Sequence, residues 1–151
     1  MYTTILILHS WLRWVALVAG VAATIAALRD NTPPPAASRA DRWGLILMIS
    51  LDVQMLLGLV MYLGVTLPSM QGRMAEVMKD PGARFFAVEH ITMMLGAVVI
   101  THVGRVLARK SANADAKKMK LFVCFGIATA LMFLAIPWPG MRAGRPLFRL
   151  S

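Results

Sequence analysis

An all-α integral membrane bundle of four helices is the fold class this sequence predicts, and three observations predict it. Of 151 residues, 58% are hydrophobic and only 15% are charged, too few polar groups to cover a globule. Mean hydropathy is +0.66. Apolar segments of the roughly 20 residues that cross a hydrocarbon core of about 30 Å can be drawn four times, at 4–28, 44–67, 85–108 and 120–137. Four crossings put both termini on one side of the membrane. Residues 1–151 read as a single membrane domain ending in a tail at 139–151.

Charge and cysteine usage narrow the class. The net charge is +9, which in a soluble protein would suggest nucleic acid. Here the basic residues gather at the ends of apolar spans, where they meet lipid headgroups, so no nucleic-acid partner is read. Cys124 is the only cysteine, which excludes an internal disulfide and a cysteine metal cluster. The chain has no CxxCH, no phosphate-cradling glycine loop, no HExxH and no nucleophile elbow, so c-type, nucleotide-dependent and hydrolytic functions lack support. An electron carrier or complex subunit fits better than a stand-alone enzyme. The 12 methionines scatter over several helix faces, as lipid-phase packing would have them.

The first apolar run lacks the basic start of a signal peptide and reads as a retained helix. Counting 100° per residue from His9, the residues Ala16, Gly20, Ala23 and Ala27 fall near one stripe, a small-residue face that lets a helix or a flat ligand come close. Arg13 lies one turn below His9 and needs an anion, either Glu89 or an acidic cofactor. Trp11 and Trp14 fit an interfacial aromatic belt.

Asn31-Thr32-Pro33-Pro34-Pro35 cannot be regular helix, so 29–43 reads as a surface loop and the second span begins near Gly44. That span holds Asp52 and Gln54, with Asp52 about 12 Å from the span's start. Residues 69–84 form a polar loop in which Met70 to Met78 could be a short helix on the membrane face. The third span carries His90 and His102, and 109–119 is a basic connector. In the fourth, Gly126 and Ala130 form a small-xxx-small pair, and Ile136-Pro137-Trp138-Pro139-Gly140 stops the helix.

Orientation follows from Lys and Arg. Loops after spans one and three, with the span ends, hold nine: Arg29, Arg39, Arg42, Arg105, Arg109, Lys110, Lys117, Lys118 and Lys120. The other side holds six: Arg73, Lys79, Arg84, Arg142, Arg145 and Arg149. The positive-inside tendency then places both termini outside, in the periplasm if the membrane is the cytoplasmic membrane of a bacterium.

Spans one and three run in the same direction, and His9 and His90 each sit five residues past the start of their span, about 7–8 Å deep. With the two helices side by side, two imidazoles at one level can hold the iron of a b-type haem. Met94, Ala97, Thr101 and Gly104 share the stripe of His90 and would line the slot with Ala16 and Gly20. The plainer alternative is that each imidazole bonds a carbonyl or water. His102 lies about 18 Å deeper than His90, at a level where Asp52 can pair with it. A structural hydrogen bond is the first reading of that pair; a proton or quinone site, with Arg105 tuning the charge, is the second.

The segments His9-Ser10-Trp11-Leu12-Arg13-Trp14, Phe85-Phe86-Ala87-Val88-Glu89-His90, Thr101-His102-Val103-Gly104-Arg105 and Ile136-Pro137-Trp138-Pro139 together resemble a family of short four-helix bacterial membrane proteins labelled cytochrome-b-like. The likeness runs over nearly the whole chain and implies an integral membrane protein with a haem. Trp11 stands where that family has glycine, which alters the packing beside His9. The expected function is therefore membrane electron transfer with one haem b on His9 and His90 near the outer face, and Arg13 near a haem propionate. The alternative is a cofactor-free or pigment-binding accessory subunit of a respiratory or photosynthetic complex. Expected partners are the lipid bilayer, other membrane subunits or redox proteins, and a quinone.

Overall fold

A computed structural model describes residues 2–148; Met1 and the last three residues of the tail, Arg149, Leu150 and Ser151, lie outside the described residues. The described chain is all-helical. Four helices are long and apolar enough to cross a membrane: α1 (Tyr2–Leu28), α2 (Arg39–Met70), α3 (Pro81–Arg109) and α4 (Ala114–Ala135). A short helix, Met74–Lys79, lies between α2 and α3, close to where the sequence suggests one.

Local chemistry explains why three of these helices start earlier than hydropathy alone indicates. Ser38 caps α2 in a capping box with Asp41, which satisfies two orphan N–H groups at once. Part of the expected surface loop is therefore helix. Asp80 accepts from the N–H groups of Gly82 and Ala83 at the start of α3, where Pro81 takes the first helical position. Asn113 does the same for α4 through Ala116 N–H, so most of the expected basic connector is helical too.

Helix α1 packs on α2 and α4, and α3 packs on the same two. The four therefore form a ring in which α1 and α3 face each other across the diagonal, not side by side as the sequence reading had them. The small stripe of α1 explains the close packing, since Ala16, Ala19, Ala23 and Ala27 are all buried. Leu47 and Leu51 of α2, Ala97 and Ala108 of α3, and Leu121, Phe125 and Ala128 of α4 complete the core. Outward faces are apolar as well: Val18, Leu56, Leu63 and Leu134 are each about 60% exposed. A helix that is apolar all round suits lipid.

Close approaches occur at Gly20, on the small stripe of α1, and at Gly44 and Gly104, but not at Gly126. A Cβ on Gly104 would run into Cys124, and one on Gly44 into the ring of Phe125. A Cβ on Gly20 would come 2.6 Å from Thr129 Oγ1. A Cβ on Gly126 would lie 3.8 Å from Thr24, an ordinary contact, and Ala130 is exposed, so the close approach expected of this pair is not made.

Helices α2 and α3 each contain a π turn, Tyr62–Thr66 and Phe85–Glu89. The first comes just before Pro68, whose ring and missing N–H cannot be fitted into an unbroken α register. The second ends at His90.

At the end of the bundle where α1 runs into α2, a buried ion network replaces the expected surface loop. Lys117 Nζ lies 2.7 Å from Asp41 Oδ2 and 3.6 Å from Asp30 Oδ2, and it donates to the Ala36 carbonyl. Lys117 is only 2% exposed, and Arg105 is 6% exposed. Neither faces headgroups, so the charge count of nine against six becomes seven against six. It no longer selects an orientation.

Candidate functional site

The opposite end of the bundle, called the tail end below, holds a cavity of about 440 Å³, within the usual range of about 300–1,000 Å³ for small-molecule sites. All four helices and the tail contribute to its wall: His9 and Arg13 from α1, Gln54 and Tyr62 from α2, His90 and Met94 from α3, Met132 and Ala135 from α4, and Arg145 from the tail.

His9 and His90 meet across this cavity. Their ring centres are 6.2 Å apart and their planes are inclined by 64°. His90 Nδ1 lies 2.8 Å from the Ala135 carbonyl; a carbonyl can only accept, so Nδ1 carries the proton and Nε2 keeps a free lone pair. His9 Nδ1 is buried without a hydrogen-bond partner.

Two further buried polar atoms in the wall are unsatisfied. Gln54 donates through Nε2 to the His9 carbonyl at 3.0 Å, which leaves its buried Oε1 without a partner. Arg13 Nε is likewise buried and unpaired. Buried polar groups lacking a partner cost about 1–3 kcal/mol each, and three of the residues that line this cavity carry one.

Arg13 does not pair with Glu89, one of the two anions suggested by the sequence. Glu89 is held by Arg84 at 2.8 Å, while Arg13 Nη2 donates to the Leu147 carbonyl at 2.6 Å. Trp14 Nε1 donates to the same carbonyl at 3.3 Å. Phe148 stacks on Trp14, with ring centres 5.4 Å apart, and also touches Trp11. Trp14 is therefore part of a clasp that ties the tail to α1, not simply a belt residue.

The described part of the tail is ordered against the bundle. The Arg145 guanidinium lies over the Phe86 ring at 5.4 Å and reaches the cavity wall. Sequence reasoning missed Arg145, Tyr62 and Gln54 as site residues. Only Gln54 left a signal, as an amide in an otherwise apolar span.

Asp52 and His102 also meet, with Nε2 and Oδ2 3.4 Å apart. His102 Nδ1 lies 2.9 Å from the Val98 carbonyl of its own helix. Both side chains are 42% exposed, so the pair sits on the flank of the bundle and not in its core. Arg105 does not join them; its Nη1 donates to the Asp41 carbonyl at 2.8 Å, within the opposite end's polar network.

Among the described residues no group of three or more His, Cys, Asp or Glu could hold a metal ion. A bare structural or catalytic ion usually takes at least three protein donors. Two imidazoles instead suit an ion whose other donors arrive with a planar macrocycle. On that ground His9 and His90 are the residues that would hold a haem.

The fold and cavity define a class, a helical bundle whose four long helices are apolar enough to cross a membrane, with His9 and His90 meeting over one cavity. No protein family matches the chain, nor does any curated protein or solved structure.

Proposed function

We propose that the chain is an integral membrane electron carrier of the b-type cytochrome kind, with His9 and His90 as the axial ligands of one haem b. The spacing of the two imidazoles carries this reading. The two ring centres lie 6.2 Å apart across one cavity, so a haem bound there would be held by His9 and His90. Bound there, haem supplies one-electron chemistry at its iron.

The chain's own residues orient and shield. The Ala135 carbonyl fixes the tautomer and plane of His90, an outer contact of the kind that tunes ligand basicity. Met94, Ala16 and Leu17 give the cavity apolar wall and keep water from the ligands. Arg13 and Arg145 offer positive charge to the acid groups of a bound cofactor. The apolar outer faces support a membrane setting; a bacterial cytoplasmic membrane, with redox proteins or other subunits as partners, is what the sequence resemblance implies.

The test is a reduced-minus-oxidised visible spectrum of detergent-purified, haem-supplied protein. A b-type α band is expected in the wild type and in Asp52→Asn, and its loss in both His9→Ala and His90→Ala. A folded wild type without the band overturns the reading. Loss in Asp52→Asn would move the cofactor to another level.

The half-exposed Asp52–His102 pair favours a second reading, a cofactor-free or pigment-binding accessory subunit of a larger complex. An ionisable pair facing lipid is costly unless a neighbour covers it, whether a partner helix or a quinone. With a pigment, one histidine can serve each magnesium, and His9→Ala would leave binding at His90 intact.

A further inference from the structure

A second groove, of about 450 Å³, lies at the other end of the bundle between the end of α1 and the start of α2. Its floor is apolar, formed by Ala22, Ile25 and Ala26, and its rim carries Arg29, Arg39 and Trp43. We infer that this groove binds one anionic phospholipid, with the phosphate between Arg29 and Arg39 and an acyl chain along the alanine and isoleucine floor. The inference rests on the membrane reading above and is independent of haem.

Three features support it. Among the described residues, the side chains of Arg29 and Arg39 have neither a hydrogen bond nor an ion pair, so both guanidiniums are free to take an anion. Arginine suits phosphate because its planar fork can donate two bonds at once. The one acid at the groove, Asp30, is already committed: it accepts from Ser38 Oγ at 2.6 Å and from Thr32 N–H at 3.0 Å, and it faces Lys117. Lys117 is shared with Asp41, so the charge of Asp30 is only partly offset, but two arginines against one acid still leave the groove net positive.

The same bonds make the site rigid. Asp30 ties the chain after α1 to Ser38, which caps α2, so Arg29 and Arg39 are held on either side of a fixed turn. Trp43 is half-buried, and its amphipathic ring suits the headgroup level. Basic pockets between membrane helices favour anionic headgroups in this way. A free phosphate would use the rim but gain nothing from the floor, so a lipid is the better occupant.

Native mass spectrometry of the full chain in detergent, titrated with phosphatidylglycerol, phosphatidylcholine or inorganic phosphate, tests this. Phosphatidylglycerol should give a single retained adduct, and the double variant Arg29→Gln, Arg39→Gln should weaken it about tenfold or more. Arg42→Gln, at the same end but outside the groove, should leave it unchanged. Equal binding of the two lipids, an unaffected double variant, or an equal loss in Arg42→Gln would overturn the site. Phosphate binding as strong as the lipid's would overturn the acyl-chain part. A wild type that stays monodisperse without detergent would instead remove the membrane reading itself.

Discussion

The Tyr62 hydroxyl donates to the Ala87 carbonyl at 3.1 Å, joining the π turn of α2 to the π turn of α3. A π turn breaks the regular i to i−4 ladder, and the bond gives the Ala87 carbonyl a partner just before His90. Tyr62→Phe removes it at a cost of about 0.5–1.5 kcal/mol. The melting temperature in detergent should fall by about 2–4 °C, and a haem-loaded sample should lose its α band faster on dilution. An unchanged melt and unchanged retention would show that the turn is held without Tyr62.

The clasp between α1 and the tail predicts a protease result. Arg13 and Trp14 both donate to Leu147 O, so Arg13→Ala leaves only the longer bond. Trypsin should then cut after Arg142 several-fold faster than in the wild type, with helix content by circular dichroism unchanged. Trp14→Phe should give an intermediate rate. Equal rates in all three would mean that the aromatic stack of Phe148 alone holds the tail.

The four spans were legible because lipid demands about 20 apolar residues in a row, a signal that no tertiary contact can erase. His9 and His90 could be set at one level for the same reason. Their helices were nevertheless assigned the wrong neighbours, since hydropathy fixes depth but says nothing about order around a ring. Lys117 was misread because a lysine near a span end looks the same in sequence whether it meets a headgroup or two buried carboxylates. The partner of Arg13 was hidden for a related reason: Leu147 offers only a backbone carbonyl, which every residue has.

Lys117 gives the pH prediction. Burial pushes the Asp30 carboxyl up, but hydrogen bonds from Ser38 and Thr32 and the charge of Lys117 outweigh burial, so it ends below the usual carboxylate range. A group with a depressed folded pKa stabilises the fold above its unfolded value of about 3.9 and loses that contribution as pH falls through the folded value. The wild type should therefore melt at lower temperature as pH drops below about 4. Lys117→Met leaves Asp30 and Asp41 without their cation, a loss of about 3–5 kcal/mol for a broken buried pair. Protonation then relieves repulsion, so mild acid should raise the variant's melting temperature. A variant as stable as the wild type at neutral pH would show the network to be dispensable.

Two glycines separate the packing seen in the structure from the packing expected from the small-xxx-small pattern. A Cβ on Gly104 would meet both Cβ and Sγ of Cys124, and the Cys124 Cα lies 3.9 Å away. The obstacle is close to the α4 backbone, so relief requires α3 and α4 to separate. Gly104→Ala should cost about 1–3 kcal/mol, as overpacking does, read as a lower thermal midpoint in detergent. Cys124→Gly should restore much of it by clearing the Cβ and Sγ. Gly126→Ala meets only Thr24 Cγ2 at 3.8 Å, an ordinary contact, and exchanges a glycine for a better helix former. It should be neutral or slightly stabilising. Were Gly126→Ala the more damaging change, the close seam would lie between α4 and α1 at that level, and the α3–α4 approach at Gly104 would be misplaced.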